Sequence, residues 1–121
     1  MSALRLPDYL EHIAAAAARA INYVEGLDFA RFEQDTRTQE AVIRAITIIG
    51  EAASRIMDGH ASFVDARSNV SWQAMRGIRN RMVHGYFDIN LQIVWDTVQQ
   101  DLPVLRQQIE LLILEQQRQQ K

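Results

Sequence analysis

The sequence predicts an all-α fold, an up-and-down bundle of four to five helices. Apolar residues recur at three- and four-residue steps along nearly the whole chain, and no stretch alternates with period two over a useful length. Helix-breaking and helix-starting residues divide this pattern at a few points only, and no internal repeat is present.

The elements follow in order. Leu10, Ile13, Ala17, Ile21 and Val24 form the stripe of a first helix that begins near Pro7 and stops near Gly26. Its Ala14 to Ala18 run has high helix propensity and a slim surface for close packing. Asp28 to Glu33 is expected to make a turn or two of helix. A long third helix runs from Thr36 or Thr38 to Met57, with Val42, Ile46, Ile49, Ala53 and Ile56 on one face and Gly59 at its end. From His60 to Val70 the helical pattern lapses into polar and small residues, which reads as a loop. Ser71 is placed as the N-cap of a helix from Trp72 to about His84, broken by Gly85. Asp88 or Asn90 starts the last stripe, Leu91, Val94, Trp95, Val98, Leu102, Leu105, Ile109 and Leu112. Pro103 within it predicts a kink or short break between two nearly coaxial pieces.

At 121 residues the chain is expected to form one domain, 1–121, with a Gln-rich tail from about Gln116. A chain of this size buries roughly two-thirds of the surface it exposes when unfolded. With no cysteine, a disulfide framework and a thiolate metal site are excluded. No run approaches the roughly 18 apolar residues a membrane helix needs, and no signal-peptide pattern is present, so a cytoplasmic location is expected.

The net charge of −2 argues against nucleic-acid coating through bulk electrostatics. Charge distribution says more. No acidic residue lies between Asp65 and Asp88, whereas Arg67, Arg76, Arg79, Arg81 and His84 all do. The only lysine is Lys121, and an arginine fork grips phosphate in a bidentate way that lysine cannot reproduce.

The segment Arg79 to Tyr86, R-N-R-M-V-H-G-Y, concentrates the chemistry. Metal-free RNA cleavage through the 2′-hydroxyl needs proton transfer and stabilisation of charge growing on the phosphoryl oxygens. His84 suits the first and Arg79 the second, with Arg76 and Arg81 as substrate-binding helpers. Asn80 stands four residues before His84, within reach to orient its ring or to donate to substrate. Tyr86 offers a hydroxyl for holding substrate or accepting a modifying group. On an ideal helix Arg79 and His84 point about 140° apart. They converge if the arginine reaches around, if the helix ends before the histidine, or if a dimer brings two motifs to one cleft, the route favoured here with the helix break helping.

Plainer readings stand beside these. His12, His60 and, before its neighbours are counted, His84 are ordinary cations for a helix end. Arg76 and Arg81 are solvated, or paired with Glu51, Asp88 or Asp96. Trp72, Trp95, Tyr23 and the phenylalanines are core. Gly50 is read as permitting close helix approach, and Glu51 as pairing with Arg55 or a motif arginine, a structural role being at least as well supported as a catalytic one. No glycine-rich phosphate loop, H-E-x-x-H, G-x-S-x-G or metal-ligand spacing is present, so neither a metal nor a cofactor is indicated.

The motif resembles the R-x4-H-x-Y form of the HEPN superfamily, in particular its HepT toxin branch. The resemblance extends through T-Q-E-A-V-I-R-A-I-T-I-I-G-E-A (38–52), V-S-W-Q-A-M-R-G-I-R-N-R (70–81) and I-V-W-D-T-V-Q-Q-D-L-P (93–103). It implies a homodimeric, metal-independent toxin ribonuclease of a type VII-like toxin–antitoxin pair. Arg79 and His84 of both subunits would be catalytic in a dimer cleft, with Asn80 in support. It further implies a minimal nucleotidyltransferase antitoxin (MntA) that transfers AMP to Tyr86, using ATP and magnesium of its own. Phosphate charge and bulk two residues from His84 would repel RNA and block the cleft. The rival readings are a non-catalytic HEPN module that binds nucleotide or RNA or docks a nucleotidyltransferase, and a purely structural helical dimer.

Overall fold

The computed structural model describes residues 5–84 and 88–119, with the backbone alone at His84. Eight α-helices and one π turn account for nearly all of it: α1 (Leu6–Tyr23), α2 (Phe29–Glu33), α3 (Thr36–Gly59), α4 (Ala61–Asp65), α5 (Trp72–Arg76), α6 (Ile78–Met82), α7 (Leu91–Asp96), the π turn (Thr97–Asp101) and α8 (Leu102–Gln119). The fold is all-α. Among the described residues the one extended feature is a two-residue antiparallel ladder of β1 (Val83–His84) and β2 (Asp88–Ile89), in register Val83 to Ile89 and His84 to Asp88.

Local sequence explains the helix boundaries. Pro7 sits in the first turn of α1, where its missing N–H costs nothing. Gly26 adopts φ +80° in the turn that follows, a conformation that L side chains rarely take. Asp28 caps α2 by accepting the Arg31 N–H at 2.9 Å. Asp35 caps α3, accepting from the backbone N–H of Thr38 at 3.0 Å and from its hydroxyl at 2.7 Å. These bonds to Thr38, the hydroxyl first, hold the Asp35 carboxyl below its ordinary value of 3.8.

α1 packs on α3 and on α8, and α3 also carries α2, α4, α5 and α6. The buried face of α1 is Leu10, Ile13, Ala16, Ala17 and Ala20, so its alanines let α3 and α8 approach closely. Val42, Ile46, Ile49, Ala53 and Ile56 of α3 are fully buried, as their spacing predicts. Phe32 and Phe29 stack on Trp95, with ring centroids 5.4 and 6.1 Å apart, joining α2 to α7. No helix among the described residues is long and apolar enough to cross a membrane.

Three features differ from the sequence expectation, and the break expected at Pro103 takes a specific form. Residues 61–65, read as loop, form α4, which sets Phe63 against Trp72. Tyr23, read as core, is 41% exposed. The helix expected from Trp72 to His84 breaks at Gly77 and ends at Met82. Just before Pro103 the α-helical winding is interrupted by a π turn, in which the Leu102 N–H reaches back five residues to the Thr97 carbonyl. The wider turn accommodates a ring that supplies no N–H and would otherwise crowd the preceding carbonyls. Its imprint is visible in the buried series Val94, Val98, Leu102, two consecutive steps of four.

Candidate active site

The candidate site is built on α6, and α6 is held against α3. Ile78 and Met82 are its buried residues, leaving Arg79, Asn80 and Arg81 exposed. Upstream, Trp72 is buried and its indole N–H donates to the Arg67 carbonyl at 3.1 Å, anchoring α5. Ser71 occupies the N-cap position of α5 as expected, but its side chain makes no capping bond. Gly77 closes α5, its N–H turned back to the carbonyls of Gln73 and Met75, and opens α6.

Two contacts fix this junction to α3. Gly50 faces it with no side chain: a β-carbon there would lie 3.2 Å from the Met75 carbonyl oxygen and 3.5 Å from Cγ2 of Ile78. One and two turns further along α3, Ser54 and Asp58 receive Arg76. Its Nε donates to the Ser54 hydroxyl at 3.2 Å, one terminal nitrogen donates to the Ser54 carbonyl at 3.1 Å, and the same nitrogen bonds the Asp58 carboxylate. Arg76, expected as a phosphate helper or as a partner of Glu51, Asp88 or Asp96, is therefore a clamp between α5 and α3. Glu51 pairs with Arg55 at 3.0 Å, both side chains about two-thirds exposed. Of the two partners expected for Glu51, the neighbouring arginine is the one it meets.

The motif leaves the helix before its histidine. Val83 is extended, at φ −114° and ψ 118°, and the Asn90 N–H donates to the Met82 carbonyl at 2.8 Å, closing the turn. His84 thus stands on a strand, paired through its backbone register with Asp88. The 140° offset of an ideal helix therefore does not apply between Arg79 and His84, because the helix ends before the histidine. The His84 side chain, Gly85 and Tyr86 lie outside the described residues.

Arg79 and Arg81 form no ion pair with any carboxylate among the described residues. About 200° separates them around α6, so they face opposite flanks. Arg81 opens onto a groove shared with the π turn and α8. Arg67, the first residue of the basic interval, is tied down elsewhere. It stacks over Phe63 at 3.9 Å and pairs with Glu115 of α8. Two guanidiniums without a carboxylate partner among the described residues, flanking one exposed helical turn, suit an anionic polymer better than a neutral ligand.

Sequence reasoning missed Ser54 and Asp58 as the holders of Arg76. Their signal was present, since both continue the four-residue spacing that begins at Gly50.

The chain is similar to known proteins over most of its length. A family model described as ribonuclease HepT-like matches residues 13–112. A protein of Thermococcus cleftensis named "Probable ribonuclease HepT" is 36% identical over 105 residues, covering 87% of this chain and 93% of its own. A protein of Caldanaerobacter subterraneus subsp. tengcongensis, provisionally named an RNase, is 32% identical over 105 residues, 87% of this chain and 91% of its own. Another from Methanocaldococcus jannaschii, also provisionally named an RNase, is 32% identical over 112 residues, 93% of this chain and all of its own. No solved structure matches the chain. The chain belongs to the ribonuclease HepT-like family, a HEPN-type family of all-α proteins.

Proposed function

We propose that this protein is the toxin ribonuclease of a type VII-like toxin–antitoxin pair, cleaving RNA without a metal. The observation that carries the reading is the exposed Arg79 and Asn80 on the last turn of a clamped helix, followed at once by His84 on a strand, in a chain of a ribonuclease family.

In this reading His84 takes the proton of a ribose 2′-hydroxyl, whose oxygen attacks the adjacent phosphorus. The P–O5′ bond breaks, leaving a 2′,3′-cyclic phosphate and a 5′-oxygen that takes up a proton to become the 5′-hydroxyl. Arg79 neutralises charge on the non-bridging oxygens as it grows, and Asn80 supports by donating to the phosphate or orienting the imidazole. A second copy completes the cleft, so that two motifs line one RNA site in the cytoplasm. Arg81 contributes to RNA binding from the other flank of α6.

Tyr86 is the control point of the same proposal. A nucleotidyltransferase antitoxin moves AMP from ATP to the tyrosine oxygen, displacing pyrophosphate and adding a negative phosphodiester beside His84.

The test is purified protein on total and synthetic RNA, wild type beside His84→Ala and Arg79→Ala, with growth on induced expression in parallel. Cleavage and growth arrest that persist in His84→Ala reject the catalytic assignment. For Tyr86, intact mass is recorded after incubation with the partner transferase and ATP. An AMP-sized gain that vanishes in Tyr86→Phe is expected, and a gain that survives the substitution rejects the control point.

A further inference from the structure

The groove on the Arg81 side of α6 also holds Gln100 and Asp101, which the chemistry above leaves unused. It holds about 340 Å³ between α5–α6 and the π turn with α8, inside the range of roughly 300–1,000 Å³ typical of small-ligand sites. Buried Met75 and Leu105 line it from the apolar side, and exposed Arg81, Gln100 and Asp101 line it from the polar side. Arg81 and Asp101 carry opposite charges into one groove, yet they do not pair with each other, and neither is paired with any other charged group among the described residues. Gln100 and Asp101 belong to the π turn, which adds a residue to the helix at this point and brings both to the groove.

A ligand that satisfies these groups together needs a flat face for the apolar side, adjacent N–H donors for a carboxylate, and an anionic end for a guanidinium. Among RNA units, guanine fits best. Its N1–H and exocyclic N2–H₂ lie side by side and match the two carboxylate oxygens, and its O6 accepts from an amide such as that of Gln100. Uracil presents one N–H between two carbonyls, which repel a carboxylate. Adenine and cytosine present a single amino donor beside an acceptor nitrogen. Unpaired RNA bases are commonly read on this Watson–Crick edge.

We propose that this groove is a guanine-selective nucleotide subsite, with Asp101 accepting from N1–H and N2–H₂, Gln100 donating to O6, and Arg81 holding the phosphate. Because Arg79 and Arg81 flank the same helical turn, a guanosine seated here presents a neighbouring phosphate of the strand to the other side of α6. The consequence for RNA cleavage, a preference for sites near guanosine, rests on the ribonuclease reading; nucleotide binding does not.

The test measures binding of GMP, AMP, CMP and UMP to the full chain by NMR titration. It is run on wild type, Asp101→Asn and Arg81→Ala, with folding checked by circular dichroism, beside cleavage of four oligoribonucleotides that differ in one base. GMP is expected to bind about tenfold tighter than the other three, the lower end of what a bidentate edge contact provides. Asp101→Asn should erase that selectivity and the base preference in cleavage. Arg81→Ala should weaken GMP and leave guanosine nearly unchanged. Equal binding of the four nucleotides, or selectivity that survives Asp101→Asn, overturns the subsite. GMP selectivity lost in Asp101→Asn without any RNA cleavage keeps the subsite and sinks the ribonuclease reading. Equal binding of the four nucleotides, with RNA cleavage that is indifferent to base and to Asp101→Asn, keeps the ribonuclease reading and overturns the subsite.

Discussion

Gly50 on α3 lies directly beneath the Met75 carbonyl on α5, so close that a β-carbon would sit 3.2 Å from that oxygen. The oxygen has little freedom to retreat. It accepts the Gly77 N–H that closes α5, and the next residue, Arg76, is bonded to Ser54 and Asp58. Gly50→Ala gains about 1 kcal/mol in helix propensity and loses roughly 1–3 kcal/mol to overpacking, a net destabilisation. It should also lower RNA cleavage by moving α6. Denaturant unfolding and cleavage assays on one preparation check both, and a variant more stable than wild type would show that the junction yields.

The Arg76 clamp should be unequal in its parts. Asp58 is 72% exposed and Arg76 about one-third, so Asp58→Asn is expected to cost less than about 1 kcal/mol. Arg76→Met also removes both bonds to Ser54 and should cost about 1–2 kcal/mol. Arg76→Lys should not restore it, because an ammonium cannot span the hydroxyl, the carbonyl and the carboxylate together. Urea unfolding midpoints of the three variants rank the contributions.

Met82 anchors the last turn of α6 and is fully buried. Met82→Ala should destabilise by about 2–5 kcal/mol. Thermal unfolding measures this. A change near zero would mean that the end of α6 is not packed as described.

Asp35 gives a pH signature at the start of α3. Its folded carboxyl is lowered by the Thr38 bonds, so its contribution to stability is complete above the ordinary carboxylate value of 3.8. The contribution is lost as pH falls through the lower folded value. The stability gap between wild type and Asp35→Ala should therefore close in acid, and a carbon-detected NMR titration should place the Asp35 midpoint below that of an exposed aspartate.

Arg79 should act on RNA through charge. Arg79→Ala is expected to reduce the salt dependence of single-strand binding by about 0.7 in the log–log slope, the loss of one phosphate contact. Cleavage should fall by about 10²-fold or more. Unchanged affinity at several salt concentrations would remove Arg79 from the phosphate.

The long elements were legible because burial follows periodicity. The apolar stripes of α1, α3 and α8 are the buried faces, and Asp28 and Asn90 cap where polar residues precede apolar runs. The middle of the chain was less legible for a physical reason. Between Trp72 and Met82 every local signal permits one helix, and the break at Gly77 follows from tertiary docking on Gly50 and Ser54. The exit at Val83 likewise depends on Asn90 returning to Met82 from eight residues away in sequence. Arg76 and Arg81 look alike as letters, yet one meets α3 and the other opens on a groove. A single sequence carries no mark of which neighbour each will find.

The π turn ahead of Pro103 acts as a phase slip in an otherwise continuous rod. α7 presents its face to α2, α3 and α6, whereas α8 presents its face to α1. A straight α-helix would let one surface wind gradually out of alignment with these two sets of neighbours. The extra residue resets the angle between the halves, so each is phased for its own side of the bundle. Were residues 97–101 to wind as an ordinary α turn with every residue kept, α8 would rotate by about 100° relative to α7 and turn Leu105, Ile109 and Leu112 away from α1, whereas deleting the extra residue would leave them facing it.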